Sequence, residues 1–199
     1  MRKILRNRLA LSTVVTTLII LVVSVLLAGV VTYFAINVVS TRVQQESLRV
    51  SSPSVWVDSA GTAEAGLMIT NTGGRDVVLN EIQIRGIAAT FGPGGNVYYA
   101  VKASGDSVPS SLTCLTHTQI AGSTPVDPFN QTAALSKLAP AANQLILSSG
   151  GIMIVYITLP TSVSINDIGT TIGITIFTAQ AMYYTETNVL AAPAGTVIG

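Results

Sequence analysis

No charged side chain occurs between Arg8 and Arg42 of this 199-residue chain. That gap constrains the fold more than any other feature. Within it, Leu18 to Val39 is apolar apart from small or hydroxyl residues and Asn37. A membrane-spanning helix needs roughly 20 such residues, whereas the apolar part of a secretory signal peptide has roughly 7–15. The run is too long for a simple signal peptide and long enough for a span. Val, Ile and Thr dominate it, and these are mediocre helix formers in water. In lipid the backbone must bond to itself, and for a single segment only a helix does so. Leu11 to Leu48 read as one helix holds 38 residues and is about 57 Å long, nearly twice a bilayer core of about 30 Å.

Arg2, Lys3, Arg6 and Arg8 precede the span, and the next cation is Arg42. This asymmetry predicts a cytoplasmic N-terminus and an external body. Beyond residue 10 the chain has six basic and nine acidic residues, a net of −3, within an overall +1. Such a balance carries no electrostatic footprint for nucleic acid. Cys114 is the sole cysteine, which rules out an internal disulfide framework. Ser24, Ala28 and Thr32 recur at spacing four with Gly29 alongside. In apolar helices this spacing permits close helix–helix approach, though small residues are also common in membrane helices at large. Asn37 marks either the membrane exit or an interhelical hydrogen bond.

The stretch "RNRLALSTVVTTLIILVVSVLLAGVVTYFAINVV" resembles the N-terminus of archaeal type IV pilin-like proteins, the group of archaeal adhesive pilins and archaellins. The resemblance covers residues 1 to about 48. It implies a cleavable prepilin-type leader, a class III signal peptide, over residues 1–10. Arg6 and Arg8 would serve as recognition residues, with Ala10 before the cut and Leu11 as the new N-terminus. Leu9 stands between Arg8 and Ala10 and leaves a neighbouring cut open. The implied partners are a prepilin-type signal peptidase, a type IV pilus-like assembly ATPase with its membrane platform, and copies of the chain in a helical filament. The precursor would sit in the cell membrane and the assembled subunit in an extracellular surface filament. No acidic residue stands near the mature start; bacterial type IV pilins carry a Glu there and archaeal members often lack it, so the resemblance points to the archaeal branch.

Pro53 in "SSPS" disfavours helix before it, so the helix is expected over 11–50 and an extracellular head over 51–199. Short β-like runs follow, separated by turn signals. They are Ser54–Asp58, Gly66–Asn71 before "NTGGRD", Asp76–Arg85, Asn96–Lys102, Gly151–Leu159 and Thr171–Tyr184. In the third run, Val77 and Leu79 share one parity and Ile82 and Ile84 the other, so a bulge near Asn80–Glu81 is expected. Residues 103–150 lack this patterning and read as a long surface excursion. The expected fold is α+β, a long hydrophobic α-helix followed by an antiparallel immunoglobulin-like β-sandwich head.

The residues with rare chemistry form no catalytic constellation. Cys114 and His117 make a C-x-x-H, only two of the roughly four ligands a zinc site needs, and Asp106 and Asp127 have no metal-like spacing. No G-x-S-x-G occurs, "FGPGGN" lacks the Lys-[Ser/Thr] of a phosphate loop, and the nine acids are scattered singly. No catalytic residue, metal or cofactor is therefore expected. Asn130-Gln131-Thr132 is an N-x-[S/T] sequon, making Asn130 the expected glycan acceptor of an externalised glycoprotein. Trp56, Tyr98, Tyr99, Tyr183 and Tyr184 read as core or subunit-contact residues, and the tail "APAGTVIG" as loose or docked on a neighbour. The expected function is a filament subunit acting in adhesion or surface attachment. The alternatives are an archaellin, an uncleaved membrane-anchored binding protein and, remotely, an enzyme using His117.

Overall fold

The computed structural model describes residues 2–43, 45–121, 126–130 and 138–198, with the backbone alone for 2–10 and 42–43. The chain divides into two units, Met1–Gln44 and Gln45–Gly199. In the first, helix α1 covers Arg2–Val43. Its hydroxyl groups bond to the carbonyls one turn back: Thr16 to Ser12 at 2.9 Å, Ser24 to Ile20 at 2.7 Å, Thr32 to Ala28 and Thr41 to Asn37 at 2.8 Å. These hydroxyls are thereby satisfied without water.

The second unit is a mixed β domain. Its elements are β1 (Leu48–Val57), β2 (Ala63–Asn71), β3 (Val77–Ile84), β4 (Ile87–Ala88), β5 (Val97–Val101), a one-turn helix α2 (His117–Ile120), β6 (Ala139–Pro140), β7 (Leu145–Leu147), β8 (Ile152–Thr158), β9 (Thr171–Thr178) and β10 (Met182–Ala191). The strands form one sheet in the order β4-β3-β9-β10-β1-β2-β8-β5-β6, with β7 beside β3. The expectation of an all-antiparallel sandwich is corrected at one place. β1 and β10 run parallel, Val55 opposite Val189 and Val57 opposite Ala191, and this pairing joins what would otherwise be two sheets.

A single apolar cluster takes residues from both ends of that sheet: Val55 and Leu67 from one side, Leu79, Ile82, Ile174 and Ile176 from the other. The sheet is therefore curled around a common core. The expected bulge lies between Leu79 and Glu81 and brings Leu79, Ile82 and Ile84 all inside. The helix boundary moves earlier than expected, because Leu48, Arg49 and Val50 already pair with Asn71, Thr70 and Ile69 of β2. Pro53 does not end the helix. It sits in a second bulge between Ser51 and Ser54, where Ser52 takes a φ of 49° and a missing N–H costs no ladder bond. The last expected run, Thr171–Tyr184, is two strands that pair with each other, Tyr184 lying opposite Thr175.

Strand parity divides the sheet. Along β2, Ala63, Ala65, Leu67 and Ile69 face the common core, while Glu64 and Met68 face outward and are nevertheless buried. A second cluster covers them. It joins Trp56, Met68, Ile154 and Tyr156 of the sheet to Leu112, Leu115, Ile120 and Phe129 of the excursion. β2 and β8 are thus covered on both faces, and β1 and β5 in part. On β9 and β10 the outward faces are half-buried or exposed.

Candidate functional site

Within Leu11–Thr41 of α1 the most apolar 18-residue window has a mean hydropathy of 2.9, and the helix is long and apolar enough to cross a membrane. Leu18, Ile19, Ile20 and Leu21 are all exposed, and four consecutive helical positions point in four directions. The apolar surface therefore wraps the helix instead of forming a stripe. A helix of this kind is stable only when lipid or other apolar segments cover it. Ser24, Ala28 and Thr32 lie one above another. The back-bonded hydroxyls of Ser24 and Thr32 leave a low ridge with no free polar atom on those two side chains. A methyl group placed on Gly29 would meet nothing within 4 Å among the described residues, so no packing on α1 itself requires glycine there. Arg6, Arg8 and Ala10 lie on the helical backbone, but their side chains are outside the described residues; Leu11 is the first described side chain and is exposed.

In the head, the described residues contain no group of three or more His, Cys, Asp or Glu side chains that could hold a metal ion, and none forms around Cys114 and His117 among them. Burial pushes the Cys114 thiol up to about 12, with Glu64 and Asp58 adding to the shift, so the sulfur is held as an unreactive thiol. His117 is exposed on α2. Asp106 accepts the Ala103 amide at 2.8 Å, and Asp127 accepts the Phe129 amide at 3.0 Å; both acids shape turns. A cleft near β4 and the end of β8, lined by Ile87, Asn96, Leu159 and Ser162 among others, holds about 90 Å³. Small-molecule sites typically hold roughly 300–1,000 Å³.

Asn130 is exposed, next to buried Phe129. Its Nδ2 donates to Asp127 Oδ2 at 3.0 Å, and its Oδ1 accepts the Ser107 hydroxyl at 2.9 Å. Gln131 and Thr132 of the sequon lie outside the described residues.

Trp56 and Tyr98 pack under the excursion, and Tyr99 and Tyr183 pack against the common core. Tyr184 is exposed, its ring lying across Gly173 of β9 and its hydroxyl donating to Glu186 at 2.9 Å. The C-terminal tail folds back onto the head at Ile198. Ile198 is buried in the outer cluster, and its amide donates to Asp58 Oδ2 at 3.1 Å. Asp58 Oδ1 also accepts the Ala60 and Thr62 amides at 3.0 and 2.8 Å. Burial works against charge on Asp58, but the amides of Thr62, Ile198, Ala60 and Gly61 outweigh it and hold the carboxyl below its usual range.

Glu64 was not singled out by sequence reasoning. It is fully buried beneath the excursion; Oε1 accepts the Leu115 amide at 3.1 Å, while Oε2 has no partner among the described residues. Burial raises its pKa to about 8, opposed only by that one hydrogen bond. The available signal was the alternation Ala63, Ala65, Leu67, which places Glu64 on the face shared with Met68.

No protein-family model matches the chain, and no curated protein matches its sequence.

Proposed function

We propose that the chain is a pilin, the structural subunit of an archaeal type IV pilus-like surface filament that acts in adhesion or surface attachment. The observation that carries this reading is the all-round apolar exposure of Leu11–Thr41 on a chain whose head has its own core. Such a helix is suited first to lipid and then to a bundle of its own copies. The basic leader before it, cut beside Leu11, fits removal by a prepilin-type peptidase. The assembly ATPase and platform belong to the same reading, as does an external head derived from the charge asymmetry. An immunoglobulin-like description of the head is also part of the proposal. It is supported by the placement of the first strand between the second and the last. An archaellin would share the same leader and helix.

An uncleaved surface anchor is the second reading, since a 31-residue apolar segment suffices to hold a head at a membrane. Electron microscopy of surface material sheared from producing cells separates the two. The filament reading expects filaments built of this chain. It also expects that Ala28→Phe abolishes them while the protein still reaches the membrane. Filaments of normal number and length in Ala28→Phe would contradict close helix packing at that ridge. A wild type that yields no filaments would favour the anchor.

A further inference from the structure

We propose that Glu64 is the latch of a pH-operated cover: when its carboxyl ionises, the excursion around Leu112–Ile120 lifts from the outer face of the sheet. Glu64 cannot escape from below, since β2 is held by β1 on one side and β8 on the other, with Glu64 opposite Trp56 and Thr158. Above it, Leu112–Leu115 belongs to no strand. That segment is fastened by side-chain contacts: Leu115 N–H to Glu64 Oε1, the Tyr156 hydroxyl to Thr113 O at 2.9 Å, and the Ser52 hydroxyl to Ser110 O at 3.1 Å.

The titratable groups facing Glu64 are Cys114 of the excursion and Tyr156 of β8, and Asp58 at the end of β1 acts in turn on Cys114. All are acids, and no cation contributes to the balance at Glu64. A neutral carboxyl fits this site. A carboxylate there would have one buried oxygen with neither a hydrogen bond nor a counter-ion, which is costly in an apolar interior. Water reaches that oxygen most easily if the excursion moves, because the alternative is to part the β1–β2–β8 ladders. Lifting would uncover Trp56, Met68, Ile154 and Tyr156, an apolar face, together with Cys114. The inference does not depend on filament assembly.

The single cysteine reports the opening. The full-length protein in detergent micelles is labelled with N-ethylmaleimide between pH 6 and 9. Each rate is divided by that of an unstructured cysteine peptide at the same pH, which removes ordinary thiol titration. For the wild type the ratio should rise about tenfold per pH unit, as one ionisation dictates, and level off near pH 8. Glu64→Gln should hold the ratio low throughout, and Tyr156→Phe, which loses one fastening, should open at lower pH. A flat wild-type ratio, or the same rise in Glu64→Gln, would overturn the latch. Hydrogen exchange on the wild type provides a test that needs no variant. With intrinsic rates divided out, amides of Leu112–Ile120 should lose protection as pH rises, while those of Leu67 and Val155 keep it. Loss of protection at all of these sites together would mean global unfolding and would likewise overturn the proposal.

Discussion

The helix and the head handle apolar surface in opposite ways. In α1 the side chains from Leu11 to Thr41 are all exposed. In the head, Leu67, Ile69, Ile174 and Ile176 are fully buried around one core, and a second layer closes over the outside of β2 and β8. The head buries such side chains within itself, whereas the helix leaves them exposed. The same residue type therefore has different consequences in the two units, and this difference is testable.

The largest effect should come from a matched pair of truncations. Leu67→Ala removes a fully buried side chain and should cost the head about 2–5 kcal/mol, read as a lower thermal midpoint. Leu26→Ala removes one that is 63% exposed and should leave the head within about 0.5 kcal/mol of wild type. Under the proposed filament function its effect should appear in filament stability instead. Equal effects on the head would break the division into two units.

The next effect is pH-dependent. The folded head binds the Glu64 proton more tightly than the unfolded chain does. Its contribution is therefore full below the ordinary value of 4.5 and is lost progressively as pH rises to about 8. Urea unfolding of Glu64→Gln should show greater stability than wild type at pH 8, on the order of a few kcal/mol, and less variation between pH 5 and 8. Asp58 has the opposite sign. Its lowered carboxyl stabilises the head above the ordinary 3.8, and this is lost as pH falls through the folded value. Asp58→Ala should cost about 1–3 kcal/mol at neutral pH and release Ile198, seen as faster cleavage of the tail by carboxypeptidase. The smallest effect should be that of Gly173→Ala. The new methyl would meet the Tyr184 ring, an exposed group free to swing away, so the cost should be about 0.5 kcal/mol in the same unfolding assay.

The helix was legible from composition alone, because a charge-free run of that length has few other solutions. The bulge at Leu79–Glu81 was legible because the parities of Val77 and Ile82 conflict on any regular strand. Other features needed the third dimension. Pro53 gives the same local signal at a helix end and in a strand bulge, and only the pairing of Leu48 with Asn71 distinguishes them. The parallel contact of β1 with β10 joins residues 55 and 189 and leaves no local trace. Glu64 reads as a solvent-facing polar residue in an alternating strand. It becomes a buried acid only because an unpatterned excursion folds over that face.

The central claim is that the helix leaves lipid for a bundle of its own copies after losing its leader. The most direct test is N-terminal sequencing of the protein recovered separately from sheared surface material and from membranes. The account predicts that the sheared protein begins at or beside Leu11. An intact leader, with all of the protein retained in the membrane fraction, would contradict it.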